Sequence, residues 1–296
     1  MICLQETKRE DFDLQFIRKF CPPIFYGFEF LPSVGASGGV ITIWKSYLFT
    51  GHLVYSNDFG ISVEFSSNLG THDWIITNVY GPCTSSGKQA FTNWLQNIQI
   101  LDAFPWLLVG DFNLLRKPKD RNRPGGDIQE MFLFKEALSA LGVVELPLQG
   151  IKYTWSNKQH PPLLERLDWF FTSDEWTSLF PETSVSTLSM ETSDHVPCLV
   201  TVSSNIPKGG TFRFENYLME HEHFFSVVQH AWSLLVPHND MTKKISAKFK
   251  NLRRVIRAWH SHLSSLKANI ANVKLIITFL SLMEEFRDPT LEEWNF

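Results

Sequence analysis

Five short stretches of this 296-residue chain end apolar runs in side chains that can bind cations, exchange protons or grip anions. "ICLQETK" closes on Gln5 and Glu6, and "TNVYGP" carries Asn78 and Tyr80 ahead of a Gly-Pro turn. "LLVGDFN" stops on Asp111 and Asn113, "ERLDWFF" sets Arg166 and Asp168 inside an apolar strand, and "TSDHVPC" groups Ser193, Asp194 and His195 before another strand. Carboxylates transfer protons and offer the hard oxygens that a small divalent cation takes, and an imidazole changes charge near neutral pH. Each residue also has a plainer reading. Asp111 and Asn113 suit a turn or cap, Glu6 a solvated strand end, and Asp168 with Arg166 a cross-strand ion pair. Strand ends converge on one rim of a layered sheet fold, so the ordered recurrence of such groups favours a shared cleft.

The elements that must position them are readable from periodicity. Residues 38–45, 61–65, 74–80 and 106–111 are rich in β-branched and aromatic side chains and read as strands, as do 166–173 and 198–202. Phe91, Trp94, Leu95, Ile98 and Leu101 recur at helical spacing between two of them. A second helix starts at Asp127, with Glu130 completing a capping box, and stops at Gly142. Strands with interspersed helices imply an α+β fold with two packed sheets over residues 1–204. "SSNIPKGG" contains the linker, residues 205–210. Beyond it, 211–296 is a helical segment in which Ile245, Phe249, Leu252, Ile256, Trp259 and Leu263 begin a seam that continues to Leu280. That spacing predicts one long helix or a helix pair over 241–286, either a partner-binding helix or one docked on another domain. Lys243, Lys244, Lys248, Lys250, Arg253, Arg254 and Arg257 flank its start, as a solvated face or a phosphate-contacting patch.

Composition narrows the class. The net charge is −4, with 12 Lys+Arg and 9 Asp+Glu in residues 205–296, leaving 15 and 22 in the first 204. The front is therefore about −7 and the tail about +3, so any nucleic-acid contact has to be local. Four cysteines, Cys3, Cys21, Cys83 and Cys198, form no CxxC pair, which argues against a zinc site and for a reducing, intracellular compartment. No run is long enough for a membrane span.

"LQETK", "NVYGP", "GDFN", "RLDWFF" and "SDHVP", in this order and at these separations, resemble the endonuclease/exonuclease/phosphatase superfamily, across roughly residues 1–202. "MICLQETK", "SGGVITIW", "YTWSN" and "FRFENYL" look most like the endonuclease domains of plant LINE-type non-LTR retrotransposons. The resemblance implies a four-layer α/β/β/α sandwich of two mixed sheets and Mg²⁺-dependent hydrolysis of a phosphodiester, with Mn²⁺ as a substitute ion. It assigns Glu6 and Asp194 to the metal, Asp111 to the proton of the attacking water, and Asn113 to water or phosphate. His195, oriented by Asp168, would contact the phosphoryl oxygens, with Tyr80 donating its phenol and Asn78 at the substrate. The basic loop after Asp111 carries Arg116, Lys117, Lys119, Arg121 and Arg123, which would line a DNA backbone or simply be solvated. A LINE-type protein would act in the nucleus, with residues 211–296 leading toward a reverse transcriptase.

The superfamily has one more motif, an N-terminal strand ending in Asn and joined by a helix to the "LQET" strand. This chain starts at Met1-Ile2, inside that second strand. Truncation therefore sets a second expectation beside the nuclease, namely a catalytically incompetent remnant or binding module with marginal folding. A whole domain is stable by only about 5–15 kcal/mol, which the loss of one strand and helix can match.

Overall fold

The computed structural model describes residues 1–35, 37–68, 72–98, 104–189, 192–202, 216–237, 240–263 and 266–294. The chain forms two compact units, Met1–Ile206 with Ile277–Phe296, and Pro207–Ile276. The expected linker, 205–210, lies outside the described residues.

The first unit opens with β1 (Ile2–Leu4), the short helix α1 (Leu14–Ile17), β2 (Gly27–Leu31) and β3 (Val40–Trp44), which pair in the order β1-β3-β2. Next come β4 (Phe49–Asn57), β5 (Gly60–Ser67), β6 (Asp73–Tyr80), α2 (Ser85–Asn97), β7 (Trp106–Asp111) and α3 (Ile128–Leu141). They are followed by β8 (Val144–Glu145), β9 (Leu148–Gln149), β10 (Trp155–Ser156), β11 (Leu164–Glu165) and β12 (Asp168–Thr172). Helix α4 (Asp174–Leu179), β13 (Ser184–Thr187) and β14 (Cys198–Thr201) complete the sheets. A six-stranded mixed sheet runs β4-β5-β6-β7-β12-β8, a three-stranded sheet runs β14-β13-β9, and β10 pairs with β11.

All six residues of β7 are buried, because both faces of the central sheet are covered. Alternation sends Trp106 and Leu108 to one face, where Phe91 and Leu95 of α2 and Phe134 and Leu138 of α3 pack on them. Leu107 and Val109 face the other way, in a cluster with Val40 and Trp44 of β3 and Val185 of β13. The two three-stranded sheets therefore share one face of the central sheet. Outside β3, Ile41 and Ile43 bury against Phe12, Ile17 and Cys21 around α1. The result is the α+β sandwich with helices on both outer faces, its second sheet split in two.

Helix α3 follows its sequence signals. The Asp127 side chain accepts the N–H groups of Gln129 and Glu130, and Gly142 ends the helix with φ 64°. Glu130 does not close a capping box; its carboxylate pairs with Lys88 at 2.9 Å. In the second unit α5 (Phe224–Ser233) packs on α6 (Met241–Leu263) through Phe224, Val228, Leu252, Ile256 and Trp259. The seam is divided between two helices, α6 and α7 (Leu266–Glu284), and the short α8 (Leu291–Trp294) follows.

Candidate active site

Strand register brings the reactive groups together. Tyr80 on β6 stands opposite Asp111 on parallel β7, and Asp111 stands opposite Asp168 on antiparallel β12. Three neighbouring strands thus present a phenol and two carboxylates at one level of the sheet. Glycines allow the strands to close here. A Cβ on Gly110 (φ 145°) would lie 2.0 Å from the Val79 carbonyl oxygen, and one on Gly81 2.1 Å from that of Phe112.

His195 arrives from a separate loop, fixed by a bridge between Trp155 and His195 and by the Val196 N–H donating to the Thr154 carbonyl at 2.7 Å. Its Nδ1 is 2.9 Å from Asp168 Oδ2, and its Nε2 is 3.7 Å from Asp111 Oδ2. One ligand atom from each of Asp111, Asp168 and His195 falls within 4.8 Å of the others.

The electrostatics follow from burial and like charge. Asp111 is 4% exposed, and that burial, reinforced by the Asp168 charge and offset by His195, raises its pKa to about 7. Burial acts to lower the His195 pKa, but the hydrogen bond and charge of Asp168, with Asp111 and Asp194 adding, raise it to about 9. Tyr80 is pushed up by burial first, then by Glu6, Cys83 and Asp111, so its phenol stays a hydrogen-bond donor. Asn113, at φ 51°, turns back on Asp111. Its backbone N–H donates to Oδ1 at 3.0 Å and its Nδ2 to Oδ2 at 3.0 Å, while Nδ2 also reaches the Gly81 carbonyl at 2.8 Å. Asn113 therefore orients the carboxylate, where the sequence suggested water or phosphate.

Other expected residues stand apart from this cluster. Glu6 is exposed at φ 50° and pairs with Lys8 at 3.3 Å, though it lines the same cleft as Asp111 and His195 and its charge bears on both Asp111 and Tyr80. Asp194 accepts from the Trp155 indole at 3.0 Å, and that bond, with its charged and polar neighbours, outweighs burial to lower its pKa. Asn78 is fully buried and acts between the sheets. It accepts from Gln5 at 2.6 Å and donates to the Ile41 carbonyl at 3.0 Å and Thr42 Oγ1 at 3.2 Å, which removes it from substrate contact.

The basic loop is largely engaged internally. Arg116 pairs with Glu145, Arg121 with Glu165 at 3.3 Å and Arg123 with Asp288 at 3.1 Å, whereas Lys117 and Lys119 are exposed. Arg166 pairs with Glu145 at 2.8 Å, so the Asp168–Arg166 ion pair allowed by the sequence is replaced by Asp168–His195. Thr154 and Trp155 support the site, and the sequence marks them only through the family resemblance of "YTWSN".

The sequence matches the endonuclease/exonuclease/phosphatase family over residues 1–195. No curated protein matches it. Among solved structures, the AP endonuclease LMAP from Leishmania major is similar at 17% identity and TM-score 0.47, over 67% of this chain and 76% of that one. The endonuclease domain of TRAS1, a telomere-specific non-LTR retrotransposon, aligns at 14% identity and TM-score 0.45, over 62% and 84%. The human Nocturnin catalytic domain, with bound sulfate, aligns at 16% identity and TM-score 0.43, over 68% and 80%.

Proposed function

The chain belongs to the endonuclease/exonuclease/phosphatase family, and from that premise we propose that residues 1–202 are a divalent-metal-dependent phosphodiesterase that nicks DNA. The observation that carries the reading is the level shared by Tyr80, Asp111 and Asp168, with His195 held on Asp168 at 2.9 Å and facing Asp111. A buried carboxylate whose proton affinity is raised by burial and by a neighbouring carboxylate, as at Asp111, is a donor a cation would relieve, and the hard oxygens here suit Mg²⁺ or Mn²⁺. Glu6 and Asp194, which line the same cleft, would hold it beside Asp111. When bound, such an ion withdraws charge from a phosphoryl oxygen.

The chain's own groups do the rest. Asp111, poised near neutral pH, takes the proton of the attacking water at its carboxylate. Asn113 keeps that carboxylate in one orientation. Protonated below a pKa of about 9, His195 gives its Nδ1–H to Asp168 and keeps a second N–H, on Nε2, directed toward the Asp111 side of the cleft as a donor to phosphoryl oxygens. Tyr80 adds a phenol donor.

The finer reading, a LINE-type retrotransposon endonuclease acting in the nucleus, rests on "YTWSN" and "FRFENYL". In it residues 1–204 are the nuclease domain, 205–210 a linker, and 211–296 a connector toward a reverse transcriptase.

A cavity favours the second reading, a catalytically incompetent form or binding module of the same fold. Among the described residues β1 pairs only with β3, and β14 only with β13. Both line one cavity of about 1080 Å³, floored by Ile76, Leu107 and Val109 of the central sheet. A further strand between β1 and β14 would join the two three-stranded sheets. Plasmid nicking separates the readings. Mg²⁺-dependent nicking abolished by EDTA and by Asp111→Asn supports the nuclease. No nicking with Mg²⁺ or Mn²⁺ from a chain that folds supports the incompetent form, and nicking untouched by Asp111→Asn removes that residue from the mechanism.

A further inference from the structure

Thr154 is fully buried between the strand that carries Asp168 and the loop that carries His195. Its Oγ1 accepts the N–H groups of Leu167 and Asp168, both at 3.0 Å. Its own N–H donates to the Glu165 carbonyl at 2.9 Å, and its carbonyl accepts from Val196 at 2.7 Å. One hydroxyl residue therefore ties together the backbones behind both members of the Asp168–His195 pair.

The two residues before Thr154 are gripped from more than 130 positions away in the chain. Glu285, just past α7, accepts the N–H groups of Lys152 and of Tyr153, the latter at 3.1 Å. Neighbouring contacts extend the grip. Arg123 pairs with Asp288 at 3.1 Å, a His160 ring nitrogen lies 3.0 Å from the Pro289 carbonyl oxygen, and the Trp294 ring meets the His160 ring edge-on. Loop N–H groups usually turn to water. A carboxylate accepting two successive N–H groups fixes both peptide planes through charge-assisted bonds.

We infer that Glu285–Trp294 is a clasp that positions the active site, acting through Lys152–Thr154 on Asp168 and His195. Glu285 and Thr154 touch no reacting group in the proposed mechanism; they are positioning residues. The C-terminal segment thereby has a part in the nuclease domain itself, beyond connecting it to something else. The catalytic consequence rests on the phosphodiesterase reading, whereas the mechanical coupling does not.

The test is amide hydrogen exchange and proton NMR on the full chain and on Glu285→Ala, Thr154→Val and Thr154→Ser. In Glu285→Ala, exchange should rise tenfold or more at Lys152, Tyr153, Leu167 and Asp168, with Val109 and Phe170 unchanged. The downfield resonance of the His195 Nδ1 proton should broaden in Glu285→Ala and in the isosteric Thr154→Val, and return in Thr154→Ser, which keeps the hydroxyl. Faster exchange confined to Lys152 and Tyr153, or spread evenly over the whole unit, overturns the clasp. In the nicking assay, Glu285→Ala and Thr154→Val should lower kcat tenfold or more with KM held. If no version nicks DNA, the phosphodiesterase reading fails, while exchange and the imidazole proton still decide the clasp.

Discussion

Asp168→Asn removes the strongest influence raising the His195 pKa while leaving the burial that lowers it. In the folded chain the imidazole titrates at about 9, against 6.5 when unperturbed. A folded-state pKa above the unfolded one adds stability that is complete below the unfolded value and disappears as pH climbs through the folded value. At about 1.4 kcal/mol per pKa unit, His195 contributes roughly 3 kcal/mol at low pH, about 2 kcal/mol near pH 7.5 and almost nothing near pH 10. In the variant this contribution is gone between pH 7.5 and pH 10. Urea unfolding of both proteins in EDTA should therefore show the wild type's advantage shrinking by about 2 kcal/mol between pH 7.5 and pH 10. Comparing above neutrality keeps the Asp111 titration, near 7, mostly outside the window. An advantage that stays flat, or grows with pH, refutes the Asp168–His195 coupling.

Other perturbations probe the framework and the surface. Asn78→Ala strands the Gln5 amide and the Ile41 carbonyl in a buried place, so urea unfolding should show a loss of about 2–4 kcal/mol, and a near-neutral result contradicts the inter-sheet role. Gly110→Ala forces a Cβ to within 2.0 Å of the Val79 carbonyl oxygen at φ 145°; a melting temperature like the wild type's would show that the strands yield easily. If the exposed Lys117 and Lys119 meet a DNA backbone, reversing both charges should reduce the salt slope of binding by about 2, and an unchanged slope removes them from the interface.

Much of the fold was legible because burial leaves a periodic trace. The fully buried β7 appears as the apolar run Trp106–Val109 ending on Gly110 and Asp111, and α3 carries both its Asp127 cap and its Gly142 stop. The gathering of Tyr80, Asp111 and Asp168 is a matter of register, which single strands do not encode. Recurrence of polar groups at strand ends and the family resemblance point to it instead. Arginines defeat this kind of reading, since Arg116, Arg121 and Arg123 look like DNA ligands until Glu145, Glu165 and Asp288 are seen beside them. Asn78 misleads for a related reason: an amide at a strand end serves a cleft or a second sheet equally well, and only the packing of β3 over β6 decides. Thr154 and Glu285 left no sequence signal, because their partners are backbone groups, which no side-chain pattern reports.

Manganese(II) titrated into ¹⁵N-labelled protein reports where a divalent cation sits, because a paramagnetic ion broadens only the amide signals near it. Glu6, Gly110–Phe112 and His195 should broaden first, at manganese levels that leave the rest of the spectrum sharp, and Asp111→Asn should abolish the selectivity. Broadening centred elsewhere, or the same pattern in Asp111→Asn, would contradict a cation site built around Asp111.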